Sequence, residues 1–124
     1  CAVLAAPVLG RMALTWHSAV ARYAREERGI GEYVNQTGLT QAIAATLVSL
    51  LLVTAILGPA GLSPSGLVLL VLLLHGSAIL LALLFAAYLK RRLGGITGDT
   101  IGATIELVEI AALLVFLCTW TYLP

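Results

Sequence analysis

The sequence predicts an all-α integral membrane helical bundle with about four transmembrane helices, and three observations carry that prediction. Residues of the AVILMFWYC set make up 60% of the 124 residues, while Asp, Glu, Lys and Arg make up 10%, against roughly 25% in ordinary soluble domains. The apolar residues gather into runs close to the ~20 residues that cross a bilayer at 1.5 Å rise each. Most of the charges fall between those runs. A water-soluble fold this small would have too few polar residues to cover its surface. A net charge of +1 leaves no electrostatic footprint for a polyanion. The expected partner is therefore a lipid bilayer, with no nucleic acid.

The first run, residues 1–21, begins Cys1-Ala-Val-Leu-Ala-Ala-Pro with no charged segment before it, unlike a secretory signal peptide. The simpler reading is a fragment cut inside or just before a helix; a lipid-modified mature Cys1 is the alternative. Cys118 lies in the last run, and two cysteines inside apolar runs suggest neither a disulfide framework nor a metal site. The second run, 41–57, carries no charge. Gly58-Pro59-Ala60-Gly61-Leu62-Ser63-Pro64-Ser65-Gly66 reads as a turn-forming connector. The third run, 67–89, is the strongest, with His75 and Ser77 as its polar side chains, and Arg91-Arg92-Leu93-Gly94-Gly95 closes it. The fourth, roughly 100–123, contains Glu106 and Glu109.

Basic residues orient the bundle. Arg22, Arg25 and Arg28 follow the first run, Lys90, Arg91 and Arg92 follow the third, and the connector after the second has none. The positive-inside rule then places loops 22–40 and 90–98 in the cytoplasm. The expected location is the cell inner membrane, as a multi-pass protein.

A charge at the centre of a membrane helix costs about 2.5–3.5 kcal/mol on insertion scales, so Arg11, Glu106 and Glu109 each require a reason. At 100° per residue, Asp99, Gly102, Glu106 and Glu109 fall within a sector of about 80°. The fourth helix is thus expected to carry an acidic stripe facing protein or water. Arg11 lies roughly 15 Å below the cytoplasmic surface, level with Glu106 and Glu109 on the same scale. The three form a candidate intramembrane polar cluster, with Arg11 pairing to Glu109 or Glu106. Gly94, Gly98 and Gly102 are spaced by four, a pattern that lets membrane helices approach closely. The same glycine-rich turn opens a helix, where free N–H groups can receive phosphate. Asp99 either caps that helix or binds Mg²⁺ beside a phosphate. Arg22 and Arg25 read either as a solvated interfacial turn or as a phosphate clamp. His75 reads as a hydrogen-bonded packing residue, and His17 needs no special role.

Lys90-Arg91-Arg92-Leu93-Gly94-Gly95-Ile96-Thr97-Gly98-Asp99-Thr100-Ile101-Gly102-Ala103, followed by Glu106 and Glu109, resembles the C-terminal signature of the cobalamin synthase (adenosylcobinamide-GDP ribazoletransferase) family. Ala6-Pro7-Val8-Leu9-Gly10-Arg11-Met12-Ala13, Tyr23-Ala24-Arg25 and Gly29-Ile30-Gly31 resemble it in the right order. The resemblance implies a Mg²⁺-dependent enzyme at the last stage of cobalamin biosynthesis. It would join α-ribazole or its 5′-phosphate to adenosylcobinamide-GDP, releasing GMP and forming adenosylcobalamin or its phosphate. The resemblance further implies an N-terminal half with an Asp-rich stretch as the main source of metal ligands. Residues 1–124 match only the C-terminal transmembrane part, so the chain is expected to be inactive alone and to need that missing half. Thr97, Gly98, Asp99, Arg22 and Arg25 become candidate substrate or metal contacts, with Asp99 the metal ligand; no residue is assigned as catalytic. A small transporter or proton-conducting module, with Glu106 and Glu109 as the relay, is the alternative from another class, and a structural membrane subunit is a third.

Overall fold

The structure is a computed structural model that describes residues 1–21 and 36–122. Four helices follow in order: α1 (Ala2–Val20), α2 (Leu39–Leu57), α3 (Pro64–Leu93) and α4 (Gly98–Trp120), with a short 3₁₀ turn, Gly58–Ala60, between α2 and α3. The described residues contain no strand. Three of the helical segments, Leu39–Ala60, Pro64–Leu93 and Gly98–Trp120, are long and apolar enough to cross a membrane by length and composition. The chain is therefore a multi-pass membrane protein.

α1 is the helix outside that set, and its place in the bundle explains its lower hydrophobicity. It packs against all three other helices, whereas α2 and α4 make no more than glancing contact with each other. Its polar residues are spent on neighbours rather than on lipid. Trp16 Nε1 donates to Thr46 Oγ1 on α2 at 2.9 Å, and His17 Nδ1 lies 3.1 Å from Thr104 Oγ1 on α4. Small residues let the axes approach. Ala5, Ala6 and Ala13 of α1 share one core with Ala78 and Ala82 of α3, all at most 4% exposed. Val53, Leu70, Leu74 and Val108 fill the space between.

Local chemistry sets the ends. α3 starts earlier than the expected residue 67, because Ser63 caps it by accepting from Gly66 N at 3.1 Å and Pro64 fits the first helical turn. It also runs past residue 89 to Leu93, carrying Lys90, Arg91 and Arg92 in its last turn. Basic side chains there favour the helix dipole. Gly94, at φ +76°, stops the helix in the left-handed region that a side chain would disfavour. Thirty residues make about 45 Å of helix, against ~30 Å of hydrocarbon, so the basic turn stands outside the apolar layer.

Candidate functional site

α4 begins at a reciprocal threonine cap. Thr100 N donates to Thr97 Oγ1 at 3.4 Å, and Thr97 N donates to Thr100 Oγ1 at 2.8 Å. The cap is therefore Thr97, which corrects the reading of Asp99 as the capping residue: Asp99 lies two residues inside, in the first turn. Its carboxylate is exposed, in a position the helix dipole favours. Relieved of capping, Asp99 is available for a ligand. Gly98 is exposed beside it, and the Thr97 side chain is committed to the cap. Arg22 and Arg25 lie outside the described residues.

At the same end of the bundle a cavity of about 330 Å³ is lined by Ser18, Val20, Ala21, Thr37, Lys90 and Gly94. Among the described residues Lys90 is the cation in its wall, a role its place in the basic turn did not indicate. The cavity lies at the end of α1, and Gly94 of the glycine-rich turn is in its wall. Among the described residues no group of three or more His, Cys, Asp or Glu side chains could hold a metal ion. Mg²⁺ is commonly held by one or two carboxylates together with substrate phosphates and water. Asp99 fits that chemistry as one ligand among several, and not as a site by itself.

Deeper in the bundle the helix runs unbroken through Glu106 and Glu109. Glu109 is half-buried against α1: a Cβ added to Gly10 would meet Glu109 Cγ and Oε1, and Ile105 Cγ2, all at 3.1 Å. The absence of a side chain at Gly10 is what admits the carboxylate. Glu106, one turn nearer the start of α4, is exposed, as are Asp99 and Gly102. Among the described residues, the acidic stripe is therefore covered only at Glu109.

The expected ion pair of Arg11 with Glu106 or Glu109 is absent, and no ion pair forms among the described residues. Depth is not the obstacle, since Gly10 and Glu109 are in contact. Direction is. Residue 11 is rotated about 100° from residue 10, and Arg11 lines a groove of about 550 Å³ between α1 and α2, with Pro7, Thr15, Ala45, Val48 and Leu52. Gly102 corrects a second expectation. A Cβ there, or at Gly94, would meet nothing within 4 Å, so the close helix approach occurs at Gly10 and not at Gly94 or Gly102.

Two histidines tie the bundle internally. His75 Nδ1 lies 2.8 Å from the Val71 carbonyl, and Ser49 Oγ lies 3.0 Å from Nε2. A carbonyl only accepts, so Nδ1 carries the proton and Nε2 accepts from the Ser49 hydroxyl. That agrees with a packing role for His75. His17 has a larger role than its sequence position suggested: it is fully buried, contacts Thr104 and Phe85, and leaves Nε2 without a hydrogen-bond partner.

Comparison with known proteins finds relatives over most of the chain. The family described as cobalamin-5-phosphate synthase matches residues 1–117. An adenosylcobinamide-GDP ribazoletransferase from Caldanaerobacter subterraneus subsp. tengcongensis is 30% identical over 116 residues, covering 93% of this chain and 43% of the relative. A protein of the same name from Desulforamulus reducens is 36% identical over 108 residues, covering 87% and 39%. Another, from Stutzerimonas stutzeri, is 40% identical over 117 residues, covering 91% and 42%. The chain spans about two-fifths of the length of these relatives and corresponds to their C-terminal part. No solved structure matches it.

Proposed function

The chain belongs to the cobalamin-5-phosphate synthase family, and from that premise we propose that it forms the C-terminal membrane part of an adenosylcobinamide-GDP ribazoletransferase. The substrates would be adenosylcobinamide-GDP and α-ribazole or its 5′-phosphate. An alcohol oxygen of the ribazole would attack the phosphorus of the pyrophosphate that carries cobinamide. The new P–O bond forms as the bond to GMP breaks; GMP leaves with the electron pair, and the hydroxyl proton passes to a base. Positioning and charge neutralisation do most of the work in such transfers.

Mg²⁺, when bound, would supply neutralisation of the pyrophosphate charge. In this reading Asp99 is one of its ligands, on an exposed first turn that Thr97 holds in register. Lys90, on the cavity wall, and Arg22 and Arg25, which follow α1 in the sequence, would face phosphate oxygens. All of these belong to the cytoplasmic side of the inner membrane, by the charge asymmetry of the connectors. The remaining metal ligands would come from the part of the family's length that this chain does not span.

The observation that carries this reading is the match over residues 1–117, which takes in both the Gly94–Asp99 turn and the acidic helix. Its test is conversion of adenosylcobinamide-GDP and α-ribazole by membranes of a strain lacking its own ribazoletransferase. This chain alone should give no product. Produced together with the leading part of a full-length relative, it should give product with Mg²⁺ and none with a chelator. Absence of product in that combination, with the chain present at normal amount in the membrane, would overturn the proposal.

A further inference from the structure

The bundle leaves one side of its central helix uncovered. Val3, Leu4, Pro7 and Arg11 of α1 are exposed and recur at helical spacing. They form a strip bounded by the α2 groove on one side and by α4 on the other. The edge of α4 that borders this strip is the acidic one. Glu109 touches α1 at Gly10, and Glu106 and Asp99 continue the same edge, exposed, toward the start of α4. An unpaired guanidinium and an unpaired carboxylate thus stand on one open face. Both are about 10–15 Å from the charged end of the bundle at 1.5 Å per residue. A strip carrying two charges at that depth is unsuited to acyl chains. The outer faces of α2, α3 and α4 are suited to them, with Leu51, Leu72, Leu80 and Leu107 exposed and no charge among them.

We propose that this face receives a membrane-spanning segment from the remaining part of a full-length family member. That segment would bring a carboxylate to Arg11 and a cationic or hydrogen-bond-donating side chain to Glu106. Two observations select this occupant. More than half of each relative's length lies outside the matched region, so further chain of the same family is available to cover the strip. Charge complementarity selects the chemistry: the groove beside the strip is lined mostly by apolar residues and carries one charge, Arg11, which suits an apolar segment bearing one anion. The inference rests on the reading that the two parts act as one enzyme, and it adds where they meet.

The test places a photo-crosslinking amino acid in the protein produced from its natural locus, in its native membranes. The front sites are Pro7, exposed on α1, and Gly102, where an added side chain meets open space. Leu51 and Leu80 are the controls on the outer faces. Crosslinked peptides are identified by mass spectrometry. The expected result is attachment at both front sites to a peptide from an apolar segment of the family's remaining part that contains Asp or Glu, with lipid adducts at the controls. Lipid adducts at the front sites equal to those at the controls would overturn the proposal. So would crosslinks joining two copies of the same front peptide, which would make the face a dimer contact. If one probe lowers the amount of protein, the other still decides. Product formation is measured on the same membranes, so a wrong face with intact activity is distinguishable from a wrong assignment of activity.

Discussion

At Gly10 a single missing methyl group decides how α1 and α4 meet. An alanine there would gain about 1 kcal/mol of helix propensity over glycine. Its Cβ would also sit 3.1 Å from Glu109 Cγ and Oε1 and from Ile105 Cγ2, tighter than ordinary contact. The end of Glu109 can swing away, so Gly10→Ala should fall within about 1 kcal/mol of the parent. Gly10→Leu cannot be absorbed in this way and should lose about 1–3 kcal/mol by overpacking. Unfolding of the purified protein in mixed detergent micelles measures both. The diagnostic variant is Gly10→Ala with Glu109→Ala and Ile105→Ala, which should be more stable than Glu109→Ala with Ile105→Ala, since no contact at 3.1 Å then remains. If Gly10→Leu proved neutral, the two helices would not be in contact here. The Ser49–His75 bond offers a second residue-level check. Ser49→Ala leaves a buried imidazole acceptor unpaired and should destabilise by about 0.5–2 kcal/mol, the range found for interhelical bonds in membranes. His75→Phe should remove most of that penalty from Ser49→Ala, and additive losses in the double variant would show that the two do not interact.

For single helices, much was legible from composition and breakers. Four runs, the Gly-Pro connector and the basic turn after the third run all correspond to elements of the structure, because apolar length, proline and glycine act locally. The ends were less legible. α3 is longer than its apolar run at both ends, since Ser63 with Pro64 and Gly94 set the boundaries by capping rather than by hydrophobicity. At the start of α4 the spacing left two roles for Asp99. The cap bonds settle one of them, since Thr97 and Thr100 satisfy each other's backbone N–H. This separation predicts different phenotypes. Thr97→Val removes the cap and should lose about 1 kcal/mol of stability, lowering the amount of protein and product together. Asp99→Asn should leave the amount unchanged. In membranes where the chain is active with its complementary part, that variant should reduce product formation at least about tenfold, since even outer-shell partners of a bound metal carry 10–100-fold in affinity. Equal losses of protein and product for Asp99→Asn would make it a structural residue only.

Across the whole molecule, direction was the property that periodicity alone could not supply. Helical spacing put Arg11, Glu106 and Glu109 at compatible depths, and the Gly10–Glu109 contact agrees. Whether they face one another depends on which neighbour each helix turns toward, and only packing decides that. α1 turns Gly10 to α4 and Arg11 to the α2 groove. The least apolar helix is also the central one, so its polar residues are matched to neighbours and its charge to an open face. Such an arrangement requires α1 to lie at membrane depth alongside the other three, as the first apolar run suggests, although it is less apolar than they are. With α2 and α3 crossing, the turn at residues 58–63 lies opposite both the connector after α1 and the basic end of α3, and with α1 crossing as well, residue 2 lies on the side of that turn. Cysteine substitutions at Ala60 and Arg91, in a background carrying Cys1→Ser and Cys118→Ser, test it with a membrane-impermeant thiol reagent. Intact cells should be labelled at residue 60 and not at residue 91, and inverted vesicles the reverse. The same experiment at residue 36, just before α2, should pattern with 91. Labelling of 36 and 60 from one side would mean that α2 does not cross the bilayer, while labelling of residue 2 and residue 36 from one side would show that α1 does not. In the first case the charge asymmetry of the connectors would have to arise from something other than membrane orientation, because the six basic residues after α1 and in the last turn of α3 would no longer share a compartment by alternation.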